Sequence, residues 1–190
     1  MVFILPSKDP YAFVHCFKKI YMIGDFMRVF HSFPAIYDKN SKVLILGSMP
    51  SVKSRENGFY YAHPRNRFWS TLESVYQEKI GSSKEEKVSF LQRHGIALFD
   101  VLKSCDISSS SDSSIKNPVC NDLRPILATA DILAIFTTGR KAYELYQKYC
   151  YFVTGIPAIL LPSPSPANCS KGIDERLILE YQKIRDFTDL

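Results

Sequence analysis

Residues 42–51 read KVLILGSMPS, and the fold turns on how the first half of that stretch is taken. Val43, Leu44, Ile45 and Leu46 are apolar without alternation, so a strand here is buried on both faces, as in a parallel sheet covered by helices. Gly47 closes the run and permits a close backbone approach, and Pro50 fixes the turn that follows. Three further runs have the same form: GIALFD from Gly95, DILAIFTTGR from Asp131 and PAILLPSPSP from Pro157. Each ends in small, polar or turn-forming residues.

Between these runs the apolar spacing becomes helical. RFWSTLESVYQ sets Phe68, Leu72, Val75 and Tyr76 on one stripe, and KEEKVSFLQRHG carries Val88, Phe90 and Leu91 before Gly95. GRKAYELYQKYC aligns Ala142, Leu145, Tyr146 and Tyr149, and the tail from Ile173 to Phe187 aligns Leu177, Ile178, Tyr181 and Ile184. Strands alternating with helices predict an α/β fold, a three-layer α/β/α sandwich around a central, mainly parallel four-stranded sheet. Such sheets bind ligands at the carboxyl ends of their strands. Gly47–Pro50, Asp100, Thr137–Arg140 and Pro162–Pro166 are therefore expected to meet at one edge. DISSSSDSSIKNP, from Asp106, reads as a mobile serine-rich loop.

Composition narrows the class. A chain of 190 residues fits one domain with one sizeable core. Its 46% hydrophobic and 23% charged residues argue against intrinsic disorder. Lys and Arg outnumber Asp and Glu by 24 to 19, an excess that favours a polyanionic partner if the basic residues share a face. Cys16, Cys105, Cys120, Cys150 and Cys169 are widely spaced, without a C-x-x-C pair, which argues against a metal cluster or a disulfide framework. A reducing, cytoplasmic setting fits that usage. No window reaches the roughly 18 apolar residues of a membrane span, and Pro6, Lys8, Asp9 and Pro10 interrupt the apolar start in a way a signal peptide does not. Residues 1–26 read as a peripheral extension, upstream sequence ahead of a start at Met27 or Met22, and residues 27–190 as the single domain.

The stretch FYYAHPRNRFW, residues 59–69, packs five aromatic rings, a histidine, two arginines and an asparagine together. In chain order, GSMPS at 47–51, this stretch, ALFDVL at 97–102 and LLPSPSPAN at 160–168 resemble the uracil-DNA glycosylase superfamily. There a G-x-x-P motif follows the first strand and a second motif, often x-P-S-x-S, follows the last. The A-H-P-x-N-R-F-W string is similar to that of the mismatch-specific uracil/thymine glycosylases. GSMPSVKS, YYAHPRN and LLPSPSPAN together look most like the hypoxanthine-DNA glycosylases, or DNA-deoxyinosine glycosylases. The resemblance runs from about His31 to the C-terminus. One departure concerns mechanism: where most members carry Asp, Asn or Glu, this chain has Met49, whose thioether neither activates nor positions water. The hypoxanthine branch is similar in this, and there the role is thought to pass to the asparagine that is Asn66 here.

The resemblance implies a monofunctional DNA glycosylase that flips a deaminated base, above all hypoxanthine, out of DNA and hydrolyses its N-glycosidic bond. The product is an abasic site for base excision repair. A uracil- or xanthine-directed enzyme, or a catalytically inactive DNA-damage binding module, is the alternative. The implied partner is DNA containing a deaminated base, bound by a monomer without cofactor or metal. Tyr61, with Tyr60 as neighbour, would stack on the flipped base, and Gly47, Ser48 and Met49 would line its pocket. Asn66 would orient the attacking water; read from the residues alone it is a helix N-cap, and the two roles are compatible. Asp100 aligns with a base-reading asparagine of uracil-specific relatives and could accept the N1–H of hypoxanthine. It could also act protonated as a donor to the purine, or serve as a cap or ion-pair partner. Asp112 is a further candidate. Backbone groups of Gly47, Ser48 and Ser51 and the Ser163–Ser165 loop would grip phosphates, with Ala167 or Asn168 filling the vacated stack. Lys53, Arg55, Arg65 and Arg67 supply nearby charge, each with a solvated surface role as its simpler reading.

Overall fold

The computed structural model describes residues 22–23, 26–108 and 115–189. Asp112 and nearly all of the expected extension 1–26 lie outside the described residues. Among the described residues the first elements are strands β1 (Met22–Ile23) and β2 (Phe26–Phe30), followed by β3 (Val43–Gly47) and helices α1 (Val52–Asn57), α2 (Phe68–Tyr76) and α3 (Lys84–Arg93). Strands β4 (Ile96–Asp100), β5 (Leu102–Ile107) and β6 (Lys116–Cys120) lead to helix α4 (Arg124–Thr129). Strand β7 (Ala134–Thr138), helices α5 (Arg140–Tyr149) and α6 (Tyr151–Thr154), strand β8 (Ala158–Leu161) and helices α7 (Ile173–Tyr181) and α8 (Arg185–Thr188) complete it.

The four continuous apolar runs form one parallel sheet in the order β4-β3-β7-β8. Its central strand is buried throughout, and successive side chains go to opposite faces. Val43 and Ile45 pack with Phe68, Leu72 and Val75 of α2, Phe90 and Leu91 of α3, and Leu177 and Tyr181 of α7. Leu44 and Leu46 pack on the other side with Ile126 of α4 and Leu145 and Tyr146 of α5. The result is the expected three-layer α/β/α sandwich. Helix boundaries follow local chemistry: at α3 the Ser83 side chain and Glu86 form a reciprocal capping box. Among the described residues, no helix is long and apolar enough to cross a membrane.

A second, antiparallel sheet in the order β1-β2-β5-β6 was not expected from the sequence. Val101 alone separates β4 from β5, and there the chain passes from one sheet to the other. Around that step the Val101 N–H donates to Gly47 O (2.9 Å) and the Leu102 N–H to Ser48 O (3.0 Å). The serine-rich reading of DISSSSDSSIKNP is corrected at both ends. Asp106 and Ile107 belong to β5, and Lys116–Cys120 is a strand despite Pro118, which sits in the sheet's last strand.

Candidate active site

Gly47 and Asp100 are register partners at the carboxyl ends of β3 and β4. Glycine is needed here for space: a β-carbon at 47 would collide with Asp100 Oδ1 and stand 3.4 Å from the Tyr61 hydroxyl. The Tyr61 hydroxyl is 3.0 Å from Thr138 Oγ1 at the end of β7, and that Oγ1 lies 3.4 Å from Leu46 O. One strand further, a β-carbon at Gly139 would meet the Ser163 side chain at 3.0 Å. The four strand ends thus converge at one edge, as expected, with Gly47, Tyr61, Asp100 and Thr138 at the centre.

Asp100 is buried, and its Oδ2 lies 3.0 Å from His31 Nε2. His31 follows β2, its backbone N–H donates to Lys103 O, and its ring packs on Phe33 and Phe99. Asn121 holds the Asp100 backbone through an Nδ2–H bond to the carbonyl (2.8 Å). Asp100 therefore sits as the hydrogen-bond partner of His31 and at the sheet edge together, with Oδ1 over the Gly47 α-carbon.

The two tyrosines of the aromatic stretch part ways. Tyr61 adopts a left-handed φ of 51°, a strained conformation for a non-glycine residue, worth about 1–3 kcal/mol. Its half-buried ring stacks on Phe68 with centroids 3.9 Å apart. Tyr60 corrects the expectation that it too faces a base: it is 2% exposed, its hydroxyl donates to Pro34 O, and its ring packs edge-on against Phe33. Burial pushes its phenol well above the usual tyrosine value, with Asp100 adding to the shift, so it stays a neutral donor.

Asn66 stands one residue before Arg67, the N-cap of α2, and its side chain closes a turn leading into the helix. Its Oδ1 accepts from the Phe68 N–H at 3.0 Å, while its own N–H donates to His63 O within the turn. Next to it, Arg67 is an internal strut and not a free surface charge. Its backbone N–H donates to Pro164 O, its Nη1 to Ser165 O and Asn168 O, and its Nε pairs with Asp174 at 2.8 Å. This strut joins the asparagine turn to the loop after β8. Tyr181, fully buried, adds a hydroxyl bond to Pro162 O.

The loop itself corrects another expectation. Asn168 turns inward, its Nδ2 donating to Ser163 O and its Oδ1 accepting from Ser170, so Ala167 is the exposed member of the pair. Ser163 and Ser165 hydroxyls accept from the N–H groups of Ser165 and Ala167 and stiffen the turn. Ser51 caps α1 through Ser54, Ser48 is buried, and Met49 packs half-buried against the core beside β3. Lys53 forms an exposed pair with Glu56, and Arg55 donates to Pro50 O. Arg65 is exposed, and its guanidinium has no partner among the described residues. Sequence reasoning missed His31 and the strut role of Arg67, and it placed Thr138 at this edge without giving it a role. Cavities of about 470 and 430 Å3 open among Gln182, Arg185, Asp186 and Asp189, and among Lys79, Ile80 and Phe90, both away from this edge.

The chain belongs to the uracil DNA glycosylase superfamily, whose family model matches residues 34–183. It is similar to a hypoxanthine DNA glycosylase of Methanosarcina acetivorans, with 35% identity over 138 residues that cover 72% of this chain and 86% of that one. A hypoxanthine DNA glycosylase of Methanosarcina barkeri is 32% identical over 114 residues, 59% of this chain and 72% of that one. The fold matches the solution NMR structure of a protein assigned as a uracil DNA glycosylase from Methanosarcina acetivorans. The TM-score is 0.68 at 32% identity, covering 80% of this chain and 96% of that one.

Proposed function

We propose that the chain excises hypoxanthine from DNA by base flipping and hydrolysis. The observation that carries this reading is the buried Asp100 carboxylate, held by His31 with Oδ1 over Gly47 beside the Tyr61 hydroxyl. An ionised carboxylate only accepts hydrogen bonds, so it complements the N1–H of hypoxanthine and opposes the N1 lone pair of adenine. The names of the Methanosarcina relatives support the same base.

The Tyr61 ring supplies a stacking surface for the flipped base, worth about 1–3 kcal/mol. The C1′–N9 bond breaks with its electron pair leaving on the purine, and water oxygen bonds to C1′ as a proton passes to the base. Asn66 orients that water: its Oδ1 has a second lone pair beyond the one used by Phe68, and its Nδ2 can donate. No lysine stands within GSMPS, FYYAHPRNRFW, ALFDVL or LLPSPSPAN, which favours hydrolysis without a Schiff base and hence without strand cleavage. The stiff loop at Ser163–Ala167 and the exposed Arg65 would meet the DNA backbone.

The test is excision from duplexes carrying hypoxanthine, uracil or xanthine, followed by alkali to reveal abasic sites. Hypoxanthine is expected to be excised fastest, and Asn66→Ala to slow the single-turnover rate by about 100-fold, the scale of losing one oriented catalytic group. Product at the same rate from wild type and Asn66→Ala overturns the role of Asn66, and a faster reaction on uracil or xanthine overturns the choice of base.

A further inference from the structure

Resting on the reading of Asp100 as base acceptor, we propose that His31 is the positioning residue that sets which bases the site takes. Its side chain is 3% exposed, and its ring is enclosed by Phe33 at 4.6 Å, Phe99 at 5.1 Å and Tyr60 at 6.0 Å. Within that aromatic box its polar partner is Asp100 Oδ2, at 3.0 Å. A carboxylate has no proton to give, so the Nε2–H donates, which fixes the tautomer.

Two consequences follow for Asp100. Its rotation is stopped, because Oδ2 is tied inward and Oδ1 must stay over Gly47 at the sheet edge. With Oδ2 engaged by the donor, the oxygen held at the sheet edge is Oδ1, whose lone pairs read as an acceptor. A base presenting a ring N–H, such as hypoxanthine at N1 or uracil at N3, meets a partner there; adenine meets a second acceptor. His31 thus carries the antiparallel sheet into the site: it follows β2, and its N–H is bonded to Lys103 of β5.

The experiment compares wild type, His31→Leu and His31→Gln in single-turnover excision of hypoxanthine, uracil and adenine from matched duplexes, with DNA binding measured in parallel. Leucine removes the donor, and the rate on hypoxanthine is expected to fall about 30-fold, the scale of one hydrogen bond to a charged group, with affinity for DNA unchanged and the preference over adenine narrowed. Glutamine can place an N–H where Nε2 stands and is expected to restore most of the rate. An unaltered rate in His31→Leu, or a folded His31→Gln as slow as His31→Leu, overturns the proposal.

A wild-type nitrogen-15 spectrum of the imidazole decides the case even if the leucine variant fails to fold. A protonated Nε2 bears the proposal out, and a bare Nε2 overturns it. If the wild type spares hypoxanthine but excises uracil, the substrate reading falls while His31 is judged by the same variants on uracil, whose N3–H presents the same donor.

Discussion

Asp100 and Asp106 lie on the consecutive strands β4 and β5, each 5% exposed and each held by a basic side chain from the segment around the end of β2. Asp106 is closed on both oxygens: Oδ1 accepts from Arg28 at 3.0 Å and Oδ2 from Asn117 at 2.7 Å. Arg28 adds a bond to Ser104 and one to Asn117 O, so the group is a finished structural knot across β2, β5 and β6. Asp100 has Oδ2 taken by His31 and Oδ1 at the end of its strand over a glycine. Burial and residue type are the same. On the reading proposed for Asp100, what separates it from the stabilising Asp106 is where the second oxygen points.

The comparison breaks most sharply at Asp100→Asn. The amide keeps the shape and lets its oxygen take the His31 N–H, which turns an NH2 donor toward the sheet edge. A site built around an acceptor then opposes the N1–H of hypoxanthine, and the excision rate should fall about 1,000-fold, equivalent to about 4 kcal/mol. Stability should change little. A rate within tenfold of wild type removes Asp100 from base reading and leaves it a second structural carboxylate.

Asp106→Asn is the converse, with a smaller effect. The charge that Arg28 and Asn117 share is lost, at a cost of about 2 kcal/mol and a fall in Tm of about 6 °C. Excision should stay within about twofold of wild type. Calorimetry and the single-turnover assay together decide it: an Asp106 variant that is stable but inactive would erase the distinction.

This contrast also marks what the sequence makes legible. The four strands of the parallel sheet are readable because burial on both faces leaves VLIL and its counterparts with no polar alternation. The antiparallel sheet is not, because its β6 reads KNPVC, with polar residues and a proline, and takes its place by pairing with β5. Gly47, Tyr61 and Asp100 stand in motifs, so their candidacy is visible. Tyr60 and Tyr61 are chemically identical neighbours, and only the left-handed backbone at Tyr61 sends the two rings to different surroundings. His31 has no motif, and its partner is 69 positions away, a proximity set by the crossing between the two sheets. Asn168 looks like a side chain free to reach outward until the fold supplies Ser163 O and Ser170 as internal partners.

The smallest effect sharpens the comparison through pH. Hydrogen bonds from Asn117 and then Arg28 hold the Asp106 carboxyl below the usual aspartate value. The unfolded chain, with an ordinary value of about 3.9, binds that proton more readily than the folded one. The stabilisation is therefore complete above about pH 4 and is lost as pH falls through the lower folded value. Asp106→Asn has no such proton to bind, so the stability gap between it and the wild type should be widest at neutral pH and shrink in acid. Other carboxyls held low, such as Asp122 at about 2 through Arg124, act equally in both proteins and cancel in the difference. Urea midpoints for the pair at pH 7 and pH 3 measure the gap. A gap of constant size means the Asp106 carboxyl is not depressed, and the knot would then hold by shape and neutral hydrogen bonds alone.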